Sequence, residues 1–186
     1  MINNMNTQLI FLISFLIVSI LGVFLHFTHQ IFKKGILVHI FSAINESTWE
    51  HNKLAFYPIL LVLIIHYFIP SINYPGFIGT AFIISLLSSI IIPLLYYPIR
   101  YINKREITFV SISLYFFSIA VCLLLEYYFV INRIYLLSDI VGIIGILLLF
   151  GLYIYFTYFP PKIFLFKDPI FKKFGEFKQD FDKKPN

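Results

Sequence analysis

Hydrophobic positions in this chain run in long unbroken tracts, with none of the polar punctuation that a water-facing helix or strand requires. No Asp, Glu, Lys or Arg occurs from Met1 to Phe32, nor between Lys53 and Arg100. Such stretches exceed the roughly 20 residues that cross a hydrocarbon core. β-Barrel strands would alternate apolar and polar over about 10 residues. The tracts are continuous instead, so each reads as a helix.

Turn and cap signals divide the pattern into about five transmembrane helices, at 9–29, 45–69, 77–99, 107–130 and 135–159. No Lys or Arg precedes the first, and no small-x-small cleavage pattern follows it, so it reads as a retained span and not as a signal peptide. Ser47 and Glu50 have the spacing of a capping box for the second, with Asn45 an alternative N-cap. Its strongly apolar part, Leu54 to Ile69, is only 16 residues long, so its first turns must carry polar side chains at the interface. Pro58 falls inside it and should bend it. Pro70 and the run Asn73-Tyr74-Pro75-Gly76 make the next turn, and Pro160-Pro161 end the fifth helix. The expected fold class is all-α: a polytopic membrane helix bundle over residues 1–160, followed by a basic amphipathic tail over 161–186.

Composition strengthens this picture. The chain has 186 residues, 60% hydrophobic and 12% charged, against roughly 25% charged for a soluble domain. A lipid bilayer is therefore the first partner. The net charge of +5 carries no implication of nucleic acid, because in a membrane protein the placement of charge matters more than its sum. Lys33, Lys34 and Lys53 fall between the first and second helices, and Arg100, Lys104 and Arg105 between the third and fourth. The intervening connections carry nothing or only Arg133, while the tail carries Lys162, Lys167, Lys172, Lys173, Lys178, Lys183 and Lys184. Basic connections belong in the cytoplasm. The N-terminus is accordingly expected outside and the tail inside, in a multi-pass protein of the plasma membrane. Abundant Ile, Phe, Tyr, Asn and Lys suggest an A+T-rich, bacterial coding sequence. The lone Cys122 lies in an apolar run and excludes an internal disulfide and a CxxC metal site.

Candidate chemistry concentrates in one place. Asn45-Glu46-Ser47-Thr48-Trp49-Glu50-His51-Asn52-Lys53 sets two carboxylates, an imidazole, an indole and an ammonium against lipid-soluble sequence. Read as helix, Glu46, Glu50 and Lys53 share a face by i, i+4 and i+3 spacing. The glutamates could then converge on one proton, cation or metal, with Lys53 neutralising one of them. His26 and His29 end the first helix on the same side. With Glu46, Glu50 and His51, His26 could supply nitrogen and oxygen ligands to a divalent metal such as zinc. The same residues also have an ordinary interfacial role. Glu in a first turn complements the helix dipole, Trp favours the interface and Lys snorkels. No HExxH motif or phosphate-binding loop is present.

The pattern Asn45-Glu46-Ser47-x-Trp49-Glu50-His51-x-Lys53, with Pro58 after it, resembles the signature of an uncharacterised family of small bacterial multi-pass membrane proteins, a domain of unknown function. His26 upstream and Pro160-Pro161-x-x-x-Leu165-Phe166-x-Asp168-Pro169 downstream are similar to it too, so the resemblance covers nearly the whole chain. It marks these residues without implying an activity. A fainter similarity to CAAX-processing intramembrane proteases lacks their Glu-Glu-Arg run.

In the tail, Ile170, Phe174, Phe177 and Phe181 recur at helical spacing with lysines between them, which reads as a helix lying on anionic lipid. On the outer side Glu126 and Asp139 flank the turn at Arg133, as a local ion pair would. Three functions fit: a polar ligand- or ion-binding site at the cytoplasmic end of helices one and two, a membrane-embedded metal-dependent hydrolase, or an accessory subunit that docks a membrane partner or a second copy of itself.

Overall fold

The computed structural model of the chain describes residues 4–32, 35–103 and 108–176. It is all-helical, with helices α1 (Asn4–Phe32), α2 (Ile36–Phe41), α3 (Thr48–Tyr67), α4 (Phe77–Asn103), α5 (Thr108–Ile131) and α6 (Asp139–Tyr158), then a single 3-10 turn, Phe164–Phe166. Among the described residues, four helices are long and apolar enough to cross a bilayer: α1, α4, α5 and α6. Only 22–44% of each such span is buried inside the protein. Outward-facing Leu, Ile and Phe side chains on them would aggregate in water and are at home in lipid.

The remaining long helix, α3, is the inner one. It is buried from Glu50 to Leu60 apart from His51, exposes Leu61, Ile64 and Ile65 further on, and packs against α1, α4 and α5. Because protein surrounds its N-terminal half, its first turns can carry Glu50, Asn52 and Lys53 inside the bundle. The helix starts at Thr48, later than the 45 expected, because Ser47 is the N-cap and its hydroxyl accepts from Glu50 N at 3.4 Å. Only half of the capping box forms. Glu50 Oε2 takes Ile44 N instead of the N-cap amide, and Ser47 N goes to Asn45 Oδ1 at 2.8 Å. Asn45 therefore closes an Asx turn and is not the N-cap.

Close approaches lock the bundle. Pro58 has no N–H for the Leu54 carbonyl, and Gly22 of α1 comes against that carbonyl, where a Cβ would meet Leu54 O at 2.5 Å. Gly142 of α6 lies on the α4 backbone, where a Cβ would meet Ile78 O at 2.5 Å and Gly79 N at 2.6 Å. Small residues let membrane helices approach this closely. Asp139 caps the crossing by accepting from Gly76 N and Ile78 N at 3.2 and 2.9 Å.

Two expectations are corrected. Glu126 and Asp139 make no ion pair with Arg133: Asp139 holds the α4 start, Arg133 donates to the Asn73 and Ser71 carbonyls, and Glu126 is buried against His66. Residues 167–176 form no helix. They fold back on themselves, with Asp168 N donating to Lys173 O at 2.8 Å, and Lys172 and Gly175 at positive φ. Phe177, Lys178, Phe181, Lys183 and Lys184 lie outside the described residues, as do Lys33, Lys34, Lys104 and Arg105.

Gly142→Ile should force α6 off α4 and cost about 1–3 kcal/mol by overpacking. A lowered melting temperature in detergent, with Gly151→Ile unchanged because nothing lies within 4 Å of Gly151, is the expected result.

Candidate functional site

The motif residues divide into two groups with different surroundings. The inner group is Glu50 and Lys53, 3% and 0% exposed, with Oε2 and Nζ 2.6 Å apart. The ammonium also donates to His39 O at 3.0 Å and Thr157 Oγ1 at 3.1 Å, so all three of its protons have acceptors. Glu50 Oε2 accepts from Ile44 N at 3.0 Å. One ion pair thereby ties together α2, α3, α6 and the strand of chain before α3. Asn52 donates to Ser89 O on α4 at 2.9 Å, and Tyr153 OH on α6 donates to Ser89 Oγ at 2.8 Å. Trp49 lies between Tyr153 and Phe166, with ring centroids 4.6 and 4.8 Å away, so the indole is spent on the protein's own interior.

The outer group is Glu46, His51 and His26. Glu46 precedes the first turn of α3, so the i, i+4 argument does not apply to it and it does not converge with Glu50. Its carboxylate turns to His51 Nε2 at 3.4 Å. The His26 and His51 rings are 5.3 Å apart, and one ligand atom from each of His26, Glu46 and His51 lies within 4.8 Å of the others. Of the four ligands anticipated, three come together and Glu50 does not. His29 goes elsewhere, to His39 at 5.4 Å, with Glu176 3.6 Å from the latter.

Hydrogen bonding settles which His51 nitrogen is free. Nδ1 lies 3.0 Å from Ser47 O. A carbonyl only accepts, so Nδ1 carries a proton and Nε2 is the nitrogen turned to the Glu46 carboxylate. Two electron-rich atoms facing each other call for a proton or a cation between them. Metal-binding histidines are held in this way, with the second nitrogen donating to a backbone carbonyl. His26 Nδ1 is buried with no hydrogen-bond partner.

Glu46 is positioned by the tail. Asp168, fully buried, accepts from Glu46 N at 3.0 Å and from Ile170 N and Phe171 N at 2.8 Å each. Asn45 Nδ2 donates to Gly175 O at 2.9 Å. Sequence marks more than 100 residues apart thus form one structure, with Phe166 on Trp49 and Asp168 beneath Glu46.

These three residues line a cavity of about 440 Å³ between α1, α3, α4 and α5. Thr48, Tyr96, Ser111 and Tyr115 add hydroxyl-bearing side chains to the lining. Val23, Phe27, Ile112 and Phe116 supply apolar wall, and Pro169 and Ile170 of the tail contribute to the lining.

A second buried polar chain escaped the sequence reading. Ser14 Oγ lies 2.9 Å from His66 Nε2, and His66 Nδ1 lies 2.7 Å from Glu126 Oε1, joining α1, α3 and α5. The only signal was a lone ionisable residue in each of two apolar tracts, and nothing paired them. Ser14, His66 and Glu126 line neither this cavity nor the one beside Phe11 and Tyr127, and their hydrogen bonds fasten three helices.

The inner pair gives a direct test. Lys53→Met strands the Glu50 carboxylate in the interior, which costs about 3–5 kcal/mol. Lys53→Met with Glu50→Leu removes both charges and should recover most of that loss. Unfolding in mixed micelles of both variants measures the difference; equal destabilisation would show that the pair is not what matters there.

The model of a family of unknown function (DUF6512) matches residues 1–176 of the chain. No curated protein and no solved structure matches it.

Proposed function

We propose, for a chain that belongs to this family of unknown function, that it is a membrane protein holding one divalent cation at His26, Glu46 and His51, which line the bundle cavity. The observation that carries the proposal is the facing pair His51 Nε2 and Glu46 carboxylate, 3.4 Å apart, with His51 Nδ1 already committed to Ser47 O. Two imidazoles and a carboxylate suit zinc and its neighbours. Ordered waters or a ligand would complete the shell.

Metal-dependent hydrolysis is the second reading, and one feature favours it. Three protein ligands leave a coordination position open, which separates catalytic zinc sites from closed structural ones. Docking of a partner through the motif draws less support, because Trp49 is packed on Tyr153, Phe156 and Phe166.

The cation test is metal content. Protein purified in mild detergent and equilibrated with zinc should hold one ion per chain. His26→Ala, Glu46→Gln and His51→Ala should each weaken zinc by more than about a hundredfold, beyond the roughly 10–100-fold typical of outer-shell partners. His39→Ala, in the neighbouring histidine pair, should retain it. Zinc absent from the wild type, or undiminished in all three variants, removes the site.

We also propose that the motif end of the bundle is cytoplasmic, on the charge distribution of the connections. Cysteine placed at Asn73 should react with an impermeant thiol reagent in intact cells, and one at Asn103 should not. The reverse pattern would invert the protein.

A further inference from the structure

The cavity holds more than an ion, and its walls say what. Val23 and Phe27 of α1 and Ile112 and Phe116 of α5 line it, yet each is also 36–52% exposed. The cavity is therefore bounded there by a seam between two spans that face hydrocarbon. The seam is closed at its inner end. Tyr115 OH donates to the Val18 and Ser19 carbonyls at 3.2 and 3.3 Å, and Gly22 is pressed against that hydroxyl. What remains is a chamber that combines the polar groups of His26, Glu46 and His51 with apolar walls from two membrane-spanning-length helices. Its volume, about 440 Å³, falls in the roughly 300–1,000 Å³ range of small-molecule sites.

Charge fixes the other half of the ligand. With a divalent cation bound, Glu46 supplies one negative charge and the two histidines are neutral, so the site keeps one positive charge. Among the described residues, Glu46 is the one carboxylate in the lining, and no Lys or Arg lines the cavity. A net charge beside hydrocarbon is unfavourable unless an opposite charge joins it.

We propose that the cavity binds an acid-headed amphiphile, its phosphate or carboxylate completing the shell of the cation and its apolar chain lying along the α1–α5 seam. This rests on the cation site proposed above. The metal is the anion's electrostatic partner, so ligand binding requires it.

Dodecyl phosphate is a suitable probe, with inorganic phosphate and dodecanol as comparisons, read by native mass spectrometry of the full chain released from detergent. Zinc-loaded protein should take up one dodecyl phosphate, and should bind the other two at least about tenfold more weakly, as loss of one ionic or one apolar contact predicts. Removing zinc with chelator should weaken dodecyl phosphate by at least about tenfold. Ile112→Trp fills the seam without touching a metal ligand, and should keep zinc while losing the amphiphile. Zinc uptake without dodecyl phosphate uptake, equal uptake of inorganic phosphate, equal uptake without zinc, or unchanged uptake by Ile112→Trp would each overturn this inference and leave the cation site standing. Absence of zinc from the wild type would remove the cation site itself.

Discussion

A charged pair at the heart of an apolar bundle is the constraint from which the rest follows. Lys53 is wholly buried and Glu50 nearly so. Neither could be accommodated alone, since an uncompensated buried ion costs several kcal/mol. Each is satisfied only because α2 presents the His39 carbonyl, α6 presents Thr157, and the chain before α3 presents Ile44 N. The short helix α2 and the turn at Asn45 therefore have to be where they are. Their placement fixes where Ser47 caps α3, and the capped turn fixes the direction in which Glu46 and His51 face.

The tail completes that arrangement from the other end of the sequence. Asp168 gathers three backbone N–H groups, one of them from Glu46, and Phe166 covers Trp49. A segment read as an amphipathic helix is not helical over 167–176 and is tied into the bundle as far as Glu176. Its Pro169 and Ile170 reach the cavity, so the tail both positions a candidate ligand and forms part of the chamber. The division of labour within nine motif residues is the useful result. Glu50, Asn52, Lys53 and Trp49 hold the bundle together, while Glu46 and His51, with His26, are left to face a cavity.

Much of this was legible in the chain. Long charge-free tracts dictate helices in a bilayer, because no other regular element satisfies its backbone there without partners. The dense polar motif stands out against such tracts, and His26 could be matched to it from its place at the same end of the bundle. Less visible was the inner position of α3, whose apolar run looked merely short. A helix enclosed by protein does not need to be apolar throughout, and which helix is enclosed depends on how all of them pack. Ser14, His66 and Glu126 were equally hidden, since residues on three separate helices share no spacing rule.

The sequence by itself determined the class of protein, the places where helices could lie, and the stretch in which polar chemistry would gather, because hydrophobic run length and cap residues act locally. Tertiary structure alone decided which carboxylate meets which base. Glu46 and Glu50 are four apart and would share a face on a continuous helix, but Ser47 starts the helix between them. One then turns inward to Lys53 and the other outward to His51. That choice depends on groups from α1, α2, α6 and the tail, brought together only when their apolar surfaces pack.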